Sequence, residues 1–161
     1  MGLLHTYSVK VDWTGAGEAG TSSYTSYDRD HVVYLGDKPP LPGSADPSFR
    51  GDADRYSPEE LFVASLSQCH MLWFLHRAAI AGVVVTGYHD RATGTMRVET
   101  AGAGHFTEVT LHPQVTVRDE VSDEQIADLH QQAHDHCFIA RSVNFPVRHL
   151  PLTTAREPAG A

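Results

Sequence analysis

The sequence predicts a mixed α+β fold, and three observations carry that expectation. Short runs of alternating apolar and polar residues fill the first quarter of the chain. A nearly continuous apolar segment with helix punctuation at both ends follows, and further alternating runs lead into a second capped helix. At 161 residues the chain suits one domain, expected over 1–154, with a small, polar and flexible tail over 155–161.

Taken in order, "HTYSVKVDW", "TSSYTSYD" and "HVVYLGD" read as strands, with the Gly-rich "TGAGEAG" turning between the first two. Residues 36–56 form a long Pro/Gly/Asp loop, of a length that is usually functional or lines an interface. Ser57, Pro58 and Glu60 then open a helix with a capping box, and Gly82 is its expected stop. Leu61, Phe62, Val63, Leu66, Met71, Leu72, Trp73, Leu75 and Ile80 make this helix apolar on nearly every face. Such a helix is buried all round, which calls for a sheet and a second subunit to cover it. "VVVTGYHDRATGTMRVET" reads as strand, turn and strand, and "HFTEVTLHPQVTVRD" as another strand or pair. A second helix opens at Ser122 and runs to about Cys137, before a short helical turn and a closing strand in "FPVRHLPLT".

Composition narrows the function. Twelve basic residues against twenty acidic give a formal charge of -8, without a local Lys/Arg cluster, which argues against nucleic acid as a partner. No apolar stretch reaches membrane-spanning length, and the N-terminal residues lack the pattern of a secretory signal. With only two cysteines, the expected setting is the reducing cytoplasm, where a thiol is reactive or inert rather than structurally bridged.

The two cysteines fall on the two capped helices. Cys69 shares a face with Phe62, Ser65, Leu66, Leu72, Trp73 and His76, while Cys137 shares one with Ile126, His130, Ala133 and His134. Taken singly, each is also what a small core hydrophobe looks like. If the helices pack together the thiols could meet, but a spacing of 68 positions does not dictate it.

The segment "SPEELFVASLSQC", with its cysteine inside a long apolar helix, resembles the signature helix of the OsmC/Ohr family. "AHDHCFIARSVN" and the closing strand resemble the second half of that family's pattern, and the likeness spans roughly residues 5–153. The resemblance implies antiparallel sheets wrapped around two long central helices in an intertwined homodimer. It also implies a thiol peroxidase for organic hydroperoxides, with its active site at the subunit interface and no cofactor or metal. Cys69 matches the peroxidatic cysteine, Cys137 the resolving one, and Glu59 the glutamate that orients a catalytic arginine. Oxidised protein would be reduced by a dithiol such as a lipoylated protein.

The implied chemistry needs a cation. A free thiol near pKa 8.5 is only a few per cent ionised at neutral pH, and lowering it to roughly 6 takes about 3.4 kcal/mol. Burial alone acts in the opposite direction. The family's arginine often lies in the loop after the first strand, yet "TGAGEAGTSS" holds no basic residue. Arg29 in "YDRDH" is the favoured substitute, with Arg50 in "SFRGD" the alternative. Ten residues along a helix span about 15 Å, so a Glu59 that serves the Cys69 site should come from the partner subunit. Phe138 and Ile139 after Cys137, and His70 after Cys69, depart from the peroxidase branch. His70 and His76 are read as packed or partner-facing residues that could also tune the thiolate. Two other functions stay open. One is a non-catalytic module whose cysteines bind an apolar or electrophilic ligand; the other is a metal centre drawn from His130, His134, His136, Cys137, Cys69 and His76.

Overall fold

The computed structural model describes residues 2–100, 102–118, 120–152 and 155–156. These residues group into two compact units, Met1–Phe62 and Val63–Ala161.

In the first unit, β1 (Lys10–Trp13), β2 (His31–Tyr34) and β3 (Leu41–Gly43) form an antiparallel sheet in the order β1-β2-β3. Two expectations for this region need correction. The first strand begins at Lys10 rather than His5, because pairing with β2 extends only from Lys10↔Tyr34 to Trp13↔His31. "TSSYTSYD" is no strand but a 3-10 turn, Gly20–Ser22, and a run of bends. Its serines bond the local chain instead of a ladder: Ser26 Oγ donates to Gly20 O at 2.6 Å, and Ser23 N donates to Ser26 Oγ at 3.0 Å. The long loop gains structure too, in β3 and in a 3-10 turn at Pro47–Phe49 capped by Asp46. Buried Ser44 stitches it together, donating to Asp30 Oδ1 and accepting from Asp52 N, each at 3.1 Å.

Helix α1 (Pro58–Ile80) opens on the expected capping box, Ser57 N donating to Glu60 Oε2 at 2.9 Å and Glu60 N to Ser57 Oγ at 3.2 Å. It closes at Gly82, whose φ of +72° is left-handed, with Val83 N bonded back to Ala78 O at 2.9 Å. The buried stripe of α1 is Leu66, His70, Phe74 and Ala78, at a spacing of four. In the chain alone the helix is therefore not covered on every face; Leu72 and Ile80 stay exposed.

The second unit holds two more sheets. β4 (Val85–Asp90), β7 (Pro113–Val117) and β9 (Ala155–Arg156) form one, in the order β4-β7-β9. β5 (Thr93–Val98), β6 (Gly104–Leu111) and β8 (Val147–His149) form the other, in the order β5-β6-β8. The β4–β7 and β5–β6 pairs are antiparallel, but β8 joins β6 and β9 joins β7 in parallel. β9 lies within the segment expected to be a free tail; residues 157–161 lie outside the described ones. Helix α2 (Asp123–His136) starts at Ser122, whose Oγ accepts from Gln125 N at 3.2 Å, and ends at Cys137. Its buried face, Ile126, Leu129 and Ala133, packs with Phe74, Ala78, Val83, Val115, Val117 and Val121 into one core cluster.

The capping box predicts a measurable loss. Ser57→Ala should lower the unfolding free energy by about 1 kcal/mol, read from the urea midpoint at unchanged slope. An unchanged midpoint would mean that Ser57 caps nothing in solution.

Candidate functional site

The second unit brings together the two cysteines. Cys69 sits mid-way along α1, half-buried, and Cys137 closes α2 at 1% exposure. Both thiols are free, and Cys69 lies close enough to Cys137 to shift its titration. Burial first, and then the hydrogen bond to Cys69, push the Cys137 thiol up to about 11. Cys137 therefore keeps its proton at neutral pH and can donate it toward the Cys69 sulfur. Its own sulfur accepts from Ala140 N at 3.5 Å in the 3-10 turn Ala140–Ser142 that follows.

An aromatic rim lies beside α2's end. Trp73 packs edge-on against Phe138 at 5.4 Å and His76 at 5.6 Å, and tilts over His136 at 5.1 Å. His136 Nδ1 donates to Gln132 O at 2.8 Å, so its Nε2 carries the free lone pair. Leu72, Trp73 and His76 line a shallow cleft of about 230 Å³. Helical spacing placed Trp73 and His76 on the Cys69 face; Phe138 was noted only as a departure from pattern.

Four imidazoles meet in the interior, and the sequence reading missed their arrangement. His70 from α1 and His130 from α2 are 1% and 0% exposed, and His70 Nε2 lies 3.0 Å from His130 Nδ1. Their rings are within 6° of parallel, and His149 of β8 stacks 5.4 Å from His70. His134 lies 5.4 Å from His149, and Phe74 lies 4.2 Å from the His130 ring. His130 Nε2 is buried without a hydrogen-bond partner, as is Tyr88 Oη. Burial first, then neighbouring imidazoles, lower His70 to about 3 and His130 to about 4, and the same causes lower His149. The i, i+4 spacing of His130 and His134 was the sequence signal available, and it suggested metal. Metal ligation needs ring lone pairs that converge on one point, whereas His70 Nε2 and His130 Nδ1 are turned toward each other at 3.0 Å. Among the described residues no group of three or more His, Cys, Asp or Glu could hold a metal ion.

The expected arginines lie in the first unit. Arg29 donates to Tyr27 O at 2.5 Å and Tyr24 O at 2.7 Å, with its guanidinium over both tyrosine rings at 4.2 and 4.4 Å. Arg50 is exposed and caps the Pro47–Phe49 turn with a left-handed φ of 67°. Sequence reasoning passed over Arg55, which pairs with Asp30 at 3.0 Å and Asp52 at 3.3 Å just ahead of α1. The two glutamates of α1 divide their work. Glu60 is spent on the cap, while Glu59 Oε2 is buried without a hydrogen-bond partner.

The mixed α+β chain sets one free thiol on its long helix and a second at the end of its other helix. Residues 51–149 match the family of OsmC-like proteins, and the chain belongs to that family. An OsmC-like protein of unknown function from Vibrio cholerae is 31% identical, with a TM-score of 0.84, covering 92% of this chain and 100% of that one. Organic hydroperoxide resistance proteins share the fold at lower identity. That of Elizabethkingia anophelis is 19% identical (TM-score 0.70, covering 98% of this chain and 100% of that one), and that of Legionella pneumophila 16% (0.69, 97% and 100%). No curated relative matches. No helix among the described residues is long and apolar enough to cross a membrane.

The histidine cluster makes stability depend on pH. Unfolded imidazoles charge near pH 6.5, whereas buried His70 and His130 resist to about 3 and about 4. The unfolded chain thus binds more protons across that window, and stability is full above pH 6.5 and falls as the pH drops below it. At pH 5 the two together should cost about 4 kcal/mol. Urea unfolding at pH 7 and pH 5 measures this; equal stability at both would contradict a neutral buried pair.

Proposed function

We propose that the protein is a thiol peroxidase that reduces organic hydroperoxides. The observation that carries this reading is the meeting of Cys69 and Cys137, 68 positions apart in the chain, as neighbouring thiols on the two helices. Membership in a family that includes organic hydroperoxide resistance proteins supports it.

In the proposed cycle the Cys69 thiolate attacks the outer oxygen of ROOH. The O–O bond breaks, an S–O bond forms, and the alkoxide leaves with a proton as ROH. Sulfur is oxidised by two electrons, giving sulfenic acid. Cys137 then attacks that sulfur: an S–S bond forms, the S–O bond breaks, and the hydroxyl leaves with the Cys137 proton as water. The raised Cys137 thiol suits this order. It stays protonated while Cys69 is the thiolate, favours that anion as a hydrogen-bond donor, and surrenders its proton only to the departing hydroxyl. A dithiol, such as a lipoyl group carried on a protein, returns the disulfide to two thiols.

The site is proposed to be completed by a second copy of the chain in a reducing cytoplasm. Leu72, Ile80 and Phe138 are 60%, 64% and 67% exposed, an apolar surface that a homodimer would cover. The unpartnered buried oxygen of Glu59 fits a carboxylate that awaits an arginine across the interface. Arg29 or Arg55 is proposed to supply it and to lower the energy of the Cys69 thiolate. The Trp73 rim offers an apolar surface to the organic part of the peroxide, with His76 at its edge.

Mass spectrometry of reduced protein after one equivalent of cumene hydroperoxide tests the cycle. A Cys69–Cys137 disulfide is expected in the parent, sulfenic acid on Cys69 in Cys137→Ser, and no oxidation in Cys69→Ser. Two intact thiols in the parent would instead favour a non-catalytic ligand-binding module. Light scattering should give a mass twice that of the 17.6 kDa chain; a monomer active at the same concentration would rule out a shared site.

A further inference from the structure

We infer that His70 and His130 form a positioning pair for disulfide closure, pinning α1 to α2 so that the Cys137 sulfur stays aligned with Cys69. The role rests on the peroxidase cycle above and concerns only its second step.

Placement comes first. The 3.0 Å contact between His70 Nε2 and His130 Nδ1 joins the two helices that carry the sulfurs. His70 adjoins Cys69 in sequence. Cys137 lies seven residues beyond His130, about two helical turns along the same face. A second link, Arg77 Nε to Gln132 Oε1 at 2.6 Å, joins the same two helices. A disulfide forms only when Cα atoms approach to about 4.4–6.8 Å with restricted dihedrals. Small slides of α1 against α2 therefore matter to closure more than to either helix.

Chemistry comes second. An aliphatic pair would fill the same interior without leaving His130 Nε2 buried and unpartnered. Aliphatic contacts also tolerate sliding, whereas a hydrogen bond fixes length and direction. Burial first, and then the flanking groups, keep the pair neutral. His134 and His149 add like charge whenever they are protonated, and Asp135 is the opposing acid near His149. Phe74, itself packed on Tyr88, covers the His130 ring. One imidazole must donate and the other accept, so charging both rings abolishes the bond. Acid thus loosens the clamp.

The experiment measures how Cys69 sulfenic acid divides between two fates. Reduced protein receives one equivalent of cumene hydroperoxide with dimedone present, and mass spectrometry gives the ratio of Cys69–dimedone adduct to Cys69–Cys137 disulfide. In His130→Phe, which keeps a ring against Phe74 but no hydrogen bond, the ratio should rise about tenfold at pH 7, the upper worth of one such bond. The gap between wild type and variant should hold from pH 7 down to pH 5, because the two buried rings stay neutral until about 3 and about 4; taking the two proteins at each pH cancels the trap's own titration. A loss of packing alone would lower stability without changing how the sulfenic acid divides. A folded His130→Phe that partitions as wild type at every pH overturns the proposal. If His130→Phe does not fold, His70→Met is judged on the same ratio, with the same two outcomes. Intact thiols in every protein would overturn the peroxidase reading and this role with it. Adduct in every protein with equal partitioning would overturn this role alone.

Discussion

Within the second unit, most of what can be said about function depends on how α1 meets α2. The two helices come from distant parts of the chain, and each carries one of the two cysteines. They are joined by the Phe74 core cluster, by the imidazole contact between His70 and His130, and by the Arg77–Gln132 bond. Each tie constrains a different freedom. The apolar cluster sets how closely the helices approach, because its cost for voids is steep in every direction. The hydrogen bonds set where along their axes they stop. A thiol pair needs both, since sulfur–sulfur bonding tolerates errors of an ångström or less.

The environment of the thiols also separates their tasks. Cys137 lies in the dry interior, is backed by the Ala140 amide, and keeps its proton well above neutral pH. Cys69 stands half-open on α1, near an aromatic rim that is itself half-exposed. A buried thiol behind an accessible one is a workable order for a two-step oxidation. In the proposed cycle the accessible sulfur meets the oxidant, and the protected sulfur acts only once its neighbour has changed. Glu59 and Glu60 make a similar division on one turn of helix. Identical side chains, one residue apart, end with one carboxylate spent on a cap and the other holding an unpartnered buried oxygen.

Sequence legibility followed the local physics. Both helices could be read to within a residue or two because Ser57, Glu60, Gly82 and Ser122 act through bonds three to five residues away. The strands β4, β5, β6 and β7 were legible from alternation. "TSSYTSYD" misled because its aromatic spacing imitates a strand while its serines bond their own backbone. The helical faces of Cys69 and Cys137 could be listed, but their meeting could not, since no pattern in the chain encodes the distance between two helices. The imidazole cluster failed for the same reason. His130 and His134 share a face by spacing, yet His149 arrives from a strand whose partner is set by topology, and ring orientation is set by packing. Arg55 was overlooked because ion pairing with Asp30 is invisible until the loop is folded.

The two parallel pairings at the end of the chain have a kinetic meaning. β8 finds β6 with Val147 beside Val109, and β9 finds β7 with Thr116 beside Ala155, each across nearly forty intervening residues that include α2. Contacts of such separation are paid for in loop-closure entropy before they return anything. During synthesis β6 and β7 therefore emerge with an open edge that no earlier segment fills, and His149 is missing from the imidazole cluster until the final strands leave the ribosome. Cys69 itself waits for α2, which follows it by more than fifty residues, before it can meet Cys137.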